Sequence, residues 1–192
     1  MKKGDLIIIP TDTVYELAAM LYDQEALTKM HELNGKERST QIPILISKMS
    51  DLTGIVETTV LSRKIMKALW PGPLSLVLRT TDEFYEKTGE RTLSVRMPNH
   101  PVALDLLKKY GVCRAVSIDL GGLQPNKQFK EIKKIYGPHV SHIHEQTFNQ
   151  STNTSSIVDL TGNSYVVIKE GNIKKEDLDI ELKDFIDFLN KN

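Results

Sequence analysis

The chain has 192 residues, a length typical of one domain with a substantial apolar core. Hydrophobic residues make up 40% and charged residues 26%, as in most soluble globular proteins, and 25 basic side chains balance 25 acidic ones. Zero net charge argues against a protein that coats nucleic acid non-specifically, although a neutral chain can still contain a basic cleft. The single cysteine, Cys113, excludes a disulfide framework and a cysteine-based zinc site. Because it lies in the apolar run VCRAV, we expect a buried, unreactive thiol.

The sequence predicts neither a membrane span nor a secretion signal. The longest apolar runs, at 6–9 and 42–46, are far shorter than the roughly 20 residues that cross a bilayer. The opening MKKGDLIIIP passes directly from a pair of lysines into a predicted strand, without a cleavage region. We therefore expect a cytoplasmic protein with no membrane partner.

Strands and helices alternate in the predicted secondary structure. In chain order, strands are predicted at 5–9, 42–47, 74–78, 93–95, 113–117, 140–144, 156–159 and 165–168, and helices at 24–33, 60–69, 100–109, 127–136 and 181–189. The apolar stripe of the last helix is expected to pack on the protein's own sheet. Because several late strands are clustered, the pattern favours an α/β fold with a mixed sheet over a purely parallel one.

Polar side chains follow several of the predicted strands. They occur at Thr11-Asp12-Thr13, at Ser117 and Asp119, at Thr154-Ser155-Ser156 and at Arg96, and a loop adds Lys36 and Arg38. Open α/β sheets bind ligands at strand ends, and hydroxyl, lysine and arginine groups together suit a ligand that carries phosphate. The alternative is structural, because Ser, Thr and Asp commonly cap strand ends.

Other patterns carry less information. The Walker and dinucleotide-binding glycine loops are both absent from the sequence. His139, His142 and His144 are close in sequence, but only His142 and His144 fall on one face of the predicted strand. A metal site would need a third ligand, which cannot be named, so edge-strand histidines are the better interpretation. No metal site is therefore predicted. Trp70 is interpreted as a packing anchor.

Seven ordered blocks of the sequence resemble the YrdC-like threonylcarbamoyl-AMP synthases. They are IIIPTDTVYELAA (P-T-[DE]-T-x-Y-G-L in the family), Lys36-Glu37-Arg38 with Pro43 (K-x-R-x-x-x-x-P), LWPGPLS (W-P-G-P-[LV]-T), SVRMPNHP (V-R-x-P-x-H-P), SIDLGG (S-A-N-x-S-G), TSSIVD (P-S-T-V-V-D) and IKEG (I-x-R-x-G). The resemblance spans about residues 4 to 173. It implies a single YrdC-like domain over 1–192, with 174–192 as a C-terminal helical tail, and a twisted mixed sheet with flanking helices around a concave cavity.

The resemblance also implies an activity. Such an enzyme joins L-threonine, bicarbonate or CO2, and ATP into threonylcarbamoyl-AMP and pyrophosphate, and Mg²⁺ accompanies the ATP. The product is used to make threonylcarbamoyladenosine in tRNA, so tRNA and downstream transferase proteins are possible partners. Nothing covalent with the protein is required, which makes positioning and charge neutralisation the main demands.

Individual site residues follow from the same resemblance. Lys36 and Arg38 would clamp the triphosphate as the catalytic pair, with Ser75, Ser117 and Lys169 as further ATP contacts. The threonine site would be formed by Thr11, Tyr15, Ser47 and Ser155. Arg96 and Asp159 are interpreted as possible structural partners inside the fold and are left out of the predicted site.

The sequence departs from the family pattern at four places. Glu16 replaces the glycine of Y-G-L, Ile118-Asp119 replaces Ala-Asn, Ile42 replaces a residue that is often polar, and Lys169 replaces arginine. The changes remove hydrogen-bond donors and add two carboxylates near an anionic substrate. Two alternatives therefore stay open: a degenerate paralogue that binds nucleotide or RNA without synthase activity, and an RNA-binding module, against which the neutral charge counts.

Overall fold

The computed structural model describes residues 1–34, 41–118, 125–145 and 154–189. Its strands are β1 Ile7–Pro10, β2 Tyr15–Met20, β3 Ile44–Leu45, β4 Leu74–Arg79, β5 Thr92–Arg96, β6 Cys113–Ser117, β7 His142–Ile143, β8 Ser156–Asp159 and β9 Val166–Lys169. Its helices are α1 Gln24–Asn34, α2 Val60–Leu69, α3 Asp82–Thr88, α4 Pro101–Tyr110, α5 Pro125–Tyr136 and α6 Lys175–Leu189. The α/β class is as predicted.

The nine strands of the described residues form one mixed sheet in the order β7-β1-β2-β6-β3-β5-β4-β8-β9. The pairs β1–β2, β2–β6, β3–β6, β4–β5 and β8–β9 are antiparallel, whereas β1–β7, β3–β5 and β4–β8 are parallel. The predicted mixed sheet is therefore confirmed. His142 and His144 lie at the β7 edge, with ring centroids 4.2 Å apart, as expected for edge-strand histidines.

The two faces of the sheet are covered unequally. Five helices, α1, α2, α3, α5 and α6, contribute buried side chains to two apolar clusters on one face. Of the helices in the described residues, only α4 packs on the other face, where Ala103 and Leu107 meet a small cluster formed by β1, β2, β3 and β6. We call this second face the open face, because much of it is left for polar side chains.

The apolar core explains several sequence patterns. Leu178 and Leu182 of α6 are buried against the sheet, which confirms that the last helix packs on its own domain. Trp70 is buried and donates its indole N–H to the Leu74 carbonyl at 2.7 Å, so it is a packing anchor. Cys113 is buried, and burial raises the pKa of its thiol to about 12, as an unreactive thiol requires.

The structure contains two elements that the sequence analysis did not predict. Strand β2, with the sequence YELAAM, was not predicted, because its Glu, Leu, Ala and Met favour helix and only pairing with β1 and β6 makes it a strand. Helix α3 was also not predicted, although Thr81 caps its first turn and Gly89 ends it at a φ of 76°. The strands predicted at 42–47 and 140–144 shorten to two residues each.

Candidate active site

Polar side chains from five strands project from the open face. Glu16 of β2 lies directly opposite Ser117 of β6, in line with the buried pair Ala18 and Ala115 below α4. Because side chains alternate along a strand, Arg96 of β5 and Ser75 of β4 also face away from the large core that holds their neighbours. Lys169 of β9 joins this face at the exposed edge. We call this region the crevice.

Arg96 is the centre of the crevice. Its side chain is only 4% exposed, and every nitrogen of its guanidinium has a partner. Nε donates to the Gly72 carbonyl at 3.1 Å and one terminal nitrogen donates to the Thr13 hydroxyl at 2.8 Å. The second terminal nitrogen donates to Asp12 at 2.6 Å. The Glu16 carboxylate lies 3.4 Å from the nitrogen that contacts Thr13. One cation thus joins the β1–β2 turn, strand β2 and the W-P-G-P segment.

The turn between β1 and β2 is organised by Thr11. Its hydroxyl donates to the Val14 carbonyl at 2.7 Å and lies 3.1 Å from the Thr13 hydroxyl. Asp12 is thereby presented to Arg96 and also accepts the backbone N–H of Asn99 at 3.0 Å. In the P-T-D-T block, the threonines shape the turn and the aspartate carries the charge.

Two buried ionisable groups flank this turn. Burial raises the pKa of the Glu16 carboxyl, Arg96 lowers it and Asp12 raises it, with burial the largest effect. His100, just before α4, is 3% exposed, and burial lowers its pKa while Asp12 opposes that shift. Burial therefore favours the uncharged form of this imidazole.

On the other side of the crevice, two of the predicted contacts meet. The hydroxyls of Ser75 and Ser155 are 3.3 Å apart. The adjoining segment is held by Ser156, whose hydroxyl accepts the backbone N–H groups of Gly171 and Ile173 at 2.8 and 2.9 Å. A Cβ on Gly171 would collide with the Thr154 carbonyl oxygen, so only glycine allows this close approach. The glycine of the I-K-E-G block therefore supports the backbone that carries Ser155.

The remaining predicted residues are distributed differently. Tyr15 lies on the face opposite to the crevice, buried with its ring 6.1 Å from that of Phe129. Ser47 donates its hydroxyl to Asp51 at 2.9 Å. Lys36 and Arg38 lie outside the described residues, as does Asp119. The assignments of Thr11, Tyr15, Ser47, Ser75, Ser117, Ser155 and Lys169 to ligands stay predictions.

The sequence-based site omits the residues that organise the crevice. Asp12, Thr13 and Arg96 form a buried network, and Glu16 adds a second carboxylate to it. The expectation of a structural role for Arg96 is confirmed by its contacts. The signal that could have identified the network is a polar cluster, T-D-T with the following glutamate, between two apolar strands.

The described chain also has an apolar groove far from the crevice. It encloses about 770 Å³ at the opposite end of β2 and β6, and residues such as Met20, Tyr22, Tyr110 and Val112 line it. None of the predicted site residues lines this groove. We place the candidate active site in the crevice, because charged and hydroxyl side chains converge there.

Comparison with known proteins agrees with this fold and motif set. A family model for Sua5, YciO and YrdC proteins, described as telomere recombination, matches residues 1–171. The chain belongs to this family. The family resemblance inferred from the sequence is therefore confirmed.

Individual relatives of the family are similar over most of the chain. A Mycobacterium tuberculosis protein, named provisionally as a threonylcarbamoyl-AMP synthase, is 30% identical over 179 residues, covering 92% of this chain and 82% of that protein. Pyrococcus abyssi Sua5, solved in complex with L-threonine, has a TM-score of 0.81 at 26% identity and covers 93% of this chain. This chain spans 54% of that structure. Escherichia coli YciO has a TM-score of 0.76 at 25% identity, covering 91% of this chain and 87% of its own.

Within the described residues, no group of three or more His, Cys, Asp or Glu side chains could hold a metal ion. Within the same residues, no helix is long and apolar enough to cross a membrane.

Proposed function

We propose that this protein is a threonylcarbamoyl-AMP synthase acting on L-threonine, bicarbonate or CO2, and Mg–ATP. Membership of the Sua5/YciO/YrdC family over residues 1–171 carries the proposal. It is supported by relatives named for this activity and by the threonine bound to the Sua5 structure. The Ser75 and Ser155 hydroxyls, which lie 3.3 Å apart in the crevice, are hydrogen-bonding groups suited to a nucleotide and an amino acid.

The proposed reaction needs no covalent intermediate on the protein. The threonine amine adds to CO2, or to bicarbonate with loss of water, and forms a carbamate. A carbamate oxygen then attacks the α-phosphorus of ATP, the bond to the β-phosphate oxygen breaks, and pyrophosphate leaves. The protein has to hold two anions together and stabilise charge at the phosphates, which preorganised donors do well.

In this proposal the nucleotide is contacted from several strands and a loop. Ser117, Lys169 and the Lys36–Arg38 segment would contact the nucleotide. Ser75 and Ser155 would lie where nucleotide and threonine meet, because their hydroxyls are already 3.3 Å apart. The product would pass to transferase proteins that modify tRNA.

Pyrophosphate release tests the proposal. Purified protein is given Mg–ATP, bicarbonate and L-threonine, and the control reaction omits threonine. We expect threonine-dependent release that Arg38→Ala lowers at least tenfold, since a hydrogen bond to a charged group contributes about 1.5–3 kcal/mol. Ser75→Ala should lower it about two- to tenfold, as expected for a neutral hydrogen bond of about 0.5–1.5 kcal/mol.

The matched control is Arg63→Ala. Arg63 is exposed on α2 and donates to the carbonyl and hydroxyl oxygens of Thr58, away from the crevice, so its loss should leave turnover unchanged. Nucleotide binding without pyrophosphate release would refute the synthase and favour the degenerate paralogue instead. Release that does not depend on threonine would refute the assigned substrate.

A further inference from the structure

Glu16 is a carboxylate where the family pattern has glycine. It is 5% exposed and lies on the open face of the sheet, inside the crevice. Its Oε1 is 3.4 Å from a terminal nitrogen of Arg96. Burial removes most of the water that would stabilise its charge, so among the described residues Arg96 is the cation that compensates it.

Arg96 has to serve two carboxylates. Asp12 already holds the guanidinium at 2.6 Å, the shorter of the two ion pairs. With both acids ionised, this group of three side chains carries a net charge of −1. With Glu16 protonated, the group is neutral.

A bound polyphosphate would lie close to this group. Ser117, a predicted ATP contact, is the register partner of Glu16 in the antiparallel β2–β6 pair. Side chains at such directly opposed positions have Cβ atoms about 4.5–5.5 Å apart. An anion that reaches the Ser117 hydroxyl therefore also approaches the Glu16 carboxyl.

Two charged groups of the described residues act on Glu16 directly, and the neighbouring His100 interacts with one of them. Arg96 of β5 favours its ionised form, and Asp12 of the β1–β2 turn disfavours it. His100, before α4, interacts with Asp12, and burial favours its uncharged form. An incoming anion would add to the effect of Asp12, so it shifts Glu16 further toward the protonated form.

We propose that Glu16 is an internal anion of the crevice and couples nucleotide binding to proton uptake. The inference rests on the proposed nucleotide site and adds to it a determinant of affinity that the family's glycine lacks. The protein binds polyphosphate with Glu16 neutral and with Arg96 released from part of its internal pairing. Affinity falls as pH rises, by up to tenfold per pH unit while one proton is taken up.

Calorimetry of Mg–ATP binding tests this coupling. Titrations at one pH, in two buffers that differ in ionisation enthalpy, count the protons taken up on binding. We expect a larger proton uptake in wild type than in Glu16→Gln, and a steeper loss of affinity with rising pH. Protonation of the nucleotide itself is common to both proteins and cancels in the difference. Glu57→Gln, at an exposed glutamate, is the matched control and should behave as wild type.

The outcomes separate the two proposals. Equal proton uptake and equal pH dependence in wild type and Glu16→Gln overturn the coupling and leave the nucleotide site standing. Nucleotide binding gained only in Glu16→Gln, or only at low pH, supports it. Absence of binding in every variant at every pH overturns both proposals. If Glu16→Gln does not fold, Glu16→Gly restores the family residue and takes its place in the comparison.

Discussion

Arg96 joins three segments of the chain, and its replacement by methionine tests how much the crevice depends on that one cation. The methionine keeps most of the apolar length but removes the cation that both Asp12 and Glu16 contact. Removing one member of a buried ion pair costs about 3–5 kcal/mol, because the remaining charge stays desolvated. For a domain of this size, about 2–4 °C of melting temperature is lost per kcal/mol, so we expect a fall of about 6–20 °C.

Urea unfolding followed by circular dichroism measures the free energy of unfolding directly. The control is Arg63→Met, an exposed arginine whose loss should change stability by less than about 0.5 kcal/mol. Adding Glu16→Gln to Arg96→Met should restore at least about 1 kcal/mol, since neighbouring charges are not additive. The reasoning is refuted if Arg96→Met and Arg63→Met differ by less than about 1 kcal/mol.

Three further predictions concern stability. Burial raises the pKa of Glu16 above 4.5 in the folded state, so the folded protein holds this proton more tightly than the unfolded chain does. As pH rises above 4.5, wild type should therefore lose stability relative to Glu16→Gln, by up to about 1.4 kcal/mol per pH unit. Urea midpoints across pH 4–8 would show the two curves diverging, and parallel curves would contradict the raised pKa. Gly171→Ala should cost about 1–3 kcal/mol of unfolding free energy, because the new Cβ collides with the backbone. Gly137→Ala, with open space around its Cβ, should be neutral. Equal melting temperatures for the two variants would disprove the close approach. Ser156→Ala should cost about 2–4 kcal/mol, because the buried N–H of Gly171 and the half-buried N–H of Ile173 lose their acceptor. A loss no greater than that of the exposed Ser164→Ala would show that another acceptor replaces the hydroxyl.

Much of the fold was predictable because it depends on local signals. Apolar runs bounded by Pro and Gly identified strands such as β1, β4 and β6, and a helical period of apolar residues identified α2 and α4. Strand β2 was missed, because its residues favour helix when considered alone. Its pairing with β1 and β6 outweighs that preference, and such pairing is a long-range property.

The candidate site was likewise predictable in part. The motif blocks identified the hydroxyl residues at strand ends, and the structure brings Ser75 and Ser155 together from positions 80 residues apart. The motifs did not reveal that Arg96 pairs with Asp12 and Glu16, which lie 84 and 80 residues away in sequence. A charged residue looks the same in sequence whether it is solvated or buried, and only its burial shows that it needs a partner.

The sequence by itself determined the family, the mixed α/β class and the cluster of polar strand ends, because ordered motifs and apolar periodicity are written locally in the chain. Only the tertiary structure decided that, among the described elements, five helices cover one face of the sheet and α4 covers the other. It also decided that one buried guanidinium is shared by two carboxylates, Asp12 and Glu16. Both results depend on strand order and register, which bring distant side chains within hydrogen-bonding distance in a site with little water to screen their charges.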